Sequence, residues 1–122
     1  MEDPMFEAQD IREWRGHPVH GGDGSKIGEL EAVYVDTVTD EPFFATVKTG
    51  MLGRQRLVFV PLAGATVSPG HLNVAYDKKY VKDAPSIDTD GELPVGDEPA
   101  VFEHYGLPYE TGAAGQRRLA RR

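Results

Sequence analysis

The chain has 122 residues, enough for one domain with a modest core, and no cysteine, which excludes disulfides, thiolate metal sites and a cysteine nucleophile. No apolar run approaches the roughly 20 residues that cross a bilayer as a helix. Charge is unevenly placed: residues 1–115 carry a net −11 and residues 116–122 carry +4, so an acidic body argues against nucleic acid or an anionic bilayer as its main ligand.

The first ten residues, MEDPMFEAQD, are acidic and lack the basic and apolar regions of a signal peptide, so a cytoplasmic location is expected. Residues 1–9 show no periodicity and are expected to be disordered. Asp10 can cap a short helical turn through Ile11–Trp14, closed by Gly16. Trp14, the one tryptophan, is expected to cover one end of the core. Pro18-Val19-His20 reads as a first strand. Gly21-Gly22-Asp23-Gly24 is a turn, and it leads into Lys26–Asp36, the stretch on which the rest is organised.

Within Lys26–Asp36, Val33, Tyr34 and Val35 favour a strand. Leu30, Ala32 and Tyr34 fall on one face, and Glu29, Glu31, Val33 and Val35 on the other. The Glu face turns apolar midway. Either the strand passes from an exposed to a covered region, or a β-bulge near Glu31–Val33 shifts the phase. Ile27, Leu30 and Tyr34 also fit helical spacing, but Gly28 and the two valines weaken that reading.

Phe43–Thr49 alternates as a half-buried strand. Gly50-Met51-Leu52-Gly53-Arg54-Gln55 is a loop. Leu57–Val60 is nearly all apolar, so it is covered on both faces or lies at an interface, and Pro61 ends it. Ala65–Val67 and Leu72–Tyr76 flank the turn Ser68-Pro69-Gly70 as a second hairpin. Asp77 can cap a short helix through Lys79–Val81, stopped at Ala84-Pro85. Residues 86–97 read as a wrapping linker that Ile87 and Leu93 could pin. Asp97 is an N-cap candidate for a helix over Glu98–Tyr105, with Gly106 closing it. Residues 110–122 read as a flexible basic tail. Six short strands followed by helical segments suggest a mainly β domain, a small barrel or sandwich. The aliphatic supply is thin, so a helix over the barrel or a dimer interface would complete the core.

Three sets of residues could carry chemistry. His17, His20 and Asp23 are close in sequence, but on a strand residues i and i+3 face opposite sides, and Asp23 is more simply a turn residue. Glu29 and Glu31 could pair for acid–base work, but no nucleophile or base accompanies them. Gly50-x-x-Gly53 with Arg54 and Arg56 could hold a phosphate, but it lacks the lysine and following helix of a P-loop. His71 and His104 stand alone. No catalytic, metal or cofactor residue is assigned. The more promising surface is an apolar patch of Phe44, Met51, Leu52, Val58 and Val60. The competing reading is that segment 86–109 covers it. Arg117, Arg118, Arg121 and Arg122 are the alternative candidates, for contact with nucleic acid.

The assembled pieces resemble the PRC-barrel family. They are Gly16-His17-Pro18-Val19, Asp23-Gly24-Ser25-Lys26-Ile27-Gly28, Val33-Tyr34-Val35-Asp36, Phe44-Ala45-Thr46-Val47, Thr49-Gly50, Val60-Pro61-Leu62 and Tyr76-Asp77 through Ala84-Pro85, spanning residues 10–85. That family is named for the cytoplasmic domain of the photosynthetic reaction-centre H subunit. It also includes the C-terminal domain of a ribosome maturation factor. Val81-x-x-Ala84-Pro85 and Tyr105-Gly106-Leu107-x-Tyr109 look like stand-alone bacterial members, actinobacterial ones among them. The resemblance implies a six-stranded, strongly bent β-barrel over residues 10–85 with a short C-terminal helical extension, used for protein–protein contact and without a catalytic residue. No counterpart of the H subunit's membrane helix or the maturation factor's first barrel is read here, so neither of those roles is expected. The expected function is a non-enzymatic module that self-associates or docks on a protein partner, with an RNA- or ribosome-associated factor as the alternative.

Overall fold

The structure, a computed structural model, describes residues 13–51 and 53–122. The expectations for residues 1–9, for Asp10 and for Leu52 lie outside the described residues. In chain order the strands are β1 (Pro18–His20), β2 (Lys26–Asp36), β3 (Glu41–Thr49), β4 (Arg56–Pro61), β5 (Thr66–Ser68) and β6 (His71–Asn73). Helix α1 (Lys78–Lys82), β7 (Ser86–Ile87), helix α2 (Glu98–His104) and β8 (Leu119–Arg121) follow. All strands belong to one sheet in the order β5-β6-β1-β2-β3-β4-β7, with β8 added on β2. The chain is mostly β, with one bent sheet of the PRC-barrel type.

Every pairing is antiparallel except β1 with β6, which run parallel through Val19–Leu72 and His20–Asn73. That pairing brings the β5–β6 hairpin beside β1, far from where chain order alone would put it. The long strand β2 holds the assembly together. Its first half pairs with β1 and its last three residues pair with β8, while β3 runs along its other side.

Of the two readings left open for β2, the structure contains the bulge, at Glu31. Leu30 faces Val47 and Ala32 faces Thr46, so Glu31 is the extra residue. An extra residue moves the following side chains to the opposite face and sharpens the bend. Leu30, Val33 and Val35 therefore share one core, while Tyr34 enters another. The ladder also breaks at Phe43, between the pairs Tyr34–Phe44 and Val35–Pro42. Close to the first bend, Gly28 lies against β3, where an added Cβ would meet the Lys48 carbonyl oxygen at 2.0 Å. Only glycine permits that approach.

The two faces of the sheet are both covered. On one, Val19, Leu30, Val33, Val47, Val60 and Leu72 pack together, with Trp14 against their margin. On the other, Tyr34, Phe44 and Phe59 meet Leu93, Val101, Phe102, Tyr105 and Leu119. The alternation along β4 shows the arrangement: Val58 and Val60 go to the first core and Phe59 to the second. Two phenols fasten the covering segment. The Tyr105 hydroxyl donates to the Phe59 carbonyl at 2.6 Å, and the Tyr34 hydroxyl accepts the Leu93 N–H at 3.3 Å. Burial raises the pKa of both.

Several expectations are corrected. The six strands expected over residues 10–85 are β1–β6, but β7 and β8 from beyond that stretch join the same sheet, making eight among the described residues. The strand expected over Leu72–Tyr76 ends at Asn73. Asp77 and Asp97 precede their helices, but neither side chain makes a capping bond. Residues 110–122 are not a free tail, since Leu119–Arg121 pair with Asp36–Tyr34. Among the described residues, no helix is long and apolar enough to cross a membrane.

Candidate functional site

Of the five residues expected to form an apolar docking patch, three are interior. Phe44 and Val60 are fully buried and Val58 is 3% exposed. Phe44 stacks edge-on against Phe102, so at this residue the segment 86–109, the competing reading, supplies the cover through helix α2. Of the five, Met51 alone is exposed among the described residues, at 79% in the β3–β4 loop.

The arginine candidates are placed just as specifically. Arg118 grips Asp36 with two parallel bonds, Nε to Oδ1 at 2.8 Å and Nη2 to Oδ2 at 2.9 Å. Arg121 reaches Glu31 at 2.5 Å, Arg117 reaches Glu92 at 3.4 Å, and Arg122 reaches Asp40 at 3.6 Å. The reading of these four side chains as a free cationic arm is corrected: each guanidinium faces a carboxylate of this chain. The Arg118 pair is the strongest by geometry, being bidentate and largely covered. The half-exposed Arg122 pair contributes little. Burial works to raise the Asp36 carboxyl, but the Arg118 guanidinium and the Val38 N–H outweigh it and hold the pKa below its usual value.

Glu98 is the residue that sequence reasoning missed. It opens α2, is 0% exposed, and turns its carboxylate toward the returning chain. Oε2 accepts the Leu119 N–H at 2.9 Å and the Arg118 N–H at 3.1 Å, and Oε1 accepts the Tyr109 hydroxyl at 2.6 Å. The Tyr109 phenol, pressed by burial and by this bond to a carboxylate, is pushed up to about 12. A glutamate at a helix start reads as a surface residue favoured by the helix dipole, so its sequence gives no signal of this role. The return itself needs Gly112, where a Cβ would lie 2.4 Å from the Arg117 carbonyl oxygen. Thr37 anchors the same turn, its N–H donating to the Arg118 carbonyl and its hydroxyl to the Arg117 carbonyl.

Beside this seam lies an open groove of about 280 Å³, lined by Glu31, Thr89, Asp90, Gly91, Glu92 and Arg121. Its best-placed charges are engaged: Glu31 also accepts the Thr46 hydroxyl at 2.6 Å, besides holding Arg121.

The remaining candidates are dispersed. The His17 ring lies against Trp14, whereas His20 stacks on His71 with centroids 4.1 Å apart. Asp23 accepts the Ser25 N–H within its turn, which holds its carboxyl below the usual value. The carboxylate pair is divided, with Glu29 near Lys26 and Glu31 on Arg121. Arg56 is tied to Asp88 and Ser86, pinning β7 to β4, so it is not left to hold a phosphate at the Gly50–Gly53 loop. His104 stacks on Tyr80 instead of standing alone.

A bent single sheet with both faces filled and its four C-terminal arginines each facing a carboxylate defines a compact β-barrel module. The model of the PRC-barrel domain family matches residues 6–92, and the chain belongs to that family. No curated protein matches the chain. Helix α2 and β8 lie beyond the matched stretch, although β8 pairs with β2 inside it.

Proposed function

We propose that the chain is a non-enzymatic, cytoplasmic interaction module that self-associates or docks on a protein partner and needs no cofactor. Membership of the PRC-barrel family, whose domains generally mediate protein contacts, carries this reading. Met51 in the β3–β4 loop, 79% exposed, is the residue of the expected patch that is left open to a partner. The engaged charges of the groove speak against a catalytic set, which would hold groups poised for substrate. The internal pairing of the four arginines speaks against a nucleic-acid arm.

The test is Met51→Asp in the purified chain. Its unfolding should be unchanged, because Met51 packs on little. Sedimentation and capture with the tagged chain should show weaker self-association or loss of the bound partner. Unaltered sedimentation and capture by a folded variant would remove Met51 from the contact. A parent chain that neither self-associates nor retains any protein would sink the reading.

A further inference from the structure

β8 is a short strand on a long tether, and none of its contacts requires that it belong to the same molecule. It has three residues and is joined to α2 through residues 105–118. Its backbone pairs with the edge of β2 at Tyr34, Val35 and Asp36. Its side chains alternate, Leu119 entering one core and Ala120 the other. The receiving edge is matched to it in charge: Glu31, Asp36, Asp40 and Glu92 each hold one guanidinium, and buried Glu98 accepts two backbone N–H groups. Without β8 this edge would expose unpaired backbone groups and leave Glu98 without its backbone donors. The seat therefore selects a basic strand with a Leu-Ala pair at its centre.

The tether contains a strained turn. The Gly112 N–H donates to the Gln116 carbonyl, folding the chain back on itself. At its apex Ala114 has φ 56° and ψ 31°, the left-handed region that a side chain with a Cβ disfavours. Straightening the turn removes that strain and carries β8 away from its own body. Exchange of an identical element keeps every strand contact and is a low-cost route to a dimer, and a short strained hinge promotes it.

We infer that β8 is an exchangeable strand, so that two copies of this chain dimerise by each seating its Leu119–Arg121 on the β2 edge of the other. This rests on the interaction-module reading and deepens it, naming a second copy as partner and the edge of β2 as the surface.

The experiment uses two full-length charge-reversal variants, Asp36→Arg and Arg118→Asp. Alone, each sets like charges against each other both within the chain and in a homodimer, so each is expected to sediment as a monomer. Mixed in equal amounts, Arg118 of one meets Asp36 of the other and the reversed pair forms reciprocally, so the mass is expected to double. The variant carrying both changes restores the pair within one chain and serves as the folding control. A mixture that stays monomeric overturns the inference. Should the single variants fail to fold, Ala114→Pro decides: its fixed φ near −65° forbids the closed turn. A dimer is expected, and a monomeric Ala114→Pro chain overturns the inference. A dimer that Met51→Asp dissolves would also overturn exchange while leaving the module reading intact. The module reading falls only if the parent neither self-associates nor captures a protein.

Discussion

Removing the Glu98 carboxylate should undo the seating of the returning chain more than any other single change there. In Glu98→Ala the N–H groups of Arg118 and Leu119 lose their acceptor, and Leu119 is fully buried. An unsatisfied buried donor costs about 1–3 kcal/mol, and bonds to a charged group lie at the upper end. The lost Tyr109 bond and the small void add to this. The expected loss is about 3–5 kcal/mol, a large share of the roughly 5–15 kcal/mol that holds a domain folded. Glu98→Gln is gentler. The amide oxygen still accepts both N–H groups, while the amide nitrogen donates to a Tyr109 hydroxyl turned the other way. Only charge assistance is lost, for about 1–2 kcal/mol. Urea unfolding followed by circular dichroism measures both variants. Amide hydrogen exchange at Arg118 and Leu119 locates the effect. An alanine variant within about 0.5 kcal/mol of the parent, with those amides still protected, would refute the reasoning.

Gly28→Ala should cost more than about 3 kcal/mol or prevent soluble expression, because its Cβ would collide with the Lys48 carbonyl at 2.0 Å; thermal unfolding checks this. Asp36 has its pKa depressed in the fold, so its stabilisation is fully present above the ordinary value of 3.8 and is lost as pH falls through the lower folded value. Asp36→Asn should therefore be less stable than the parent at pH 7, with the gap shrinking toward pH 2 in parallel urea titrations. The raised Tyr109 phenol has the opposite sign: its contribution is complete below pH 10 and fades toward about 12. Ultraviolet titration should show Tyr34, Tyr105 and Tyr109 ionising later than the other phenols, and Tyr109→Phe should remove the step near 12 and leave the other two.

How much was legible in the sequence differs by element. The break in β2 is visible because a polar face turns apolar at Val33, but a strict period of two leaves a change of burial or of phase as its cause, and the pairing with β3 shows the bulge. The two hairpins are visible in their glycine and proline turns, and the family in the order of its motifs. The β4 pattern Leu57–Val60 correctly demands cover on both faces, but composition does not say whether that cover comes from the same chain or a partner. Folding answers it with Phe102, Tyr105 and Leu93, side chains distant in sequence whose docking depends on the bend of the sheet.

The charge asymmetry shows the same division. Sequence alone determines that a body of net −11 is followed by a segment of +4. Attraction between them is implicit in those numbers, yet a run of arginines reads first as a solvated end and otherwise as a nucleic-acid arm. Only the tertiary structure decides, because the deciding features are geometric. They are a free edge on β2, carboxylates spaced to meet each guanidinium, and a buried Glu98 whose oxygens need the donors that β8 supplies. Local patterns reflect nearest-neighbour sterics and burial, so one sequence carries them. Pairing across eighty or more residues depends on where the sheet bends, and that is fixed only when the whole chain has folded.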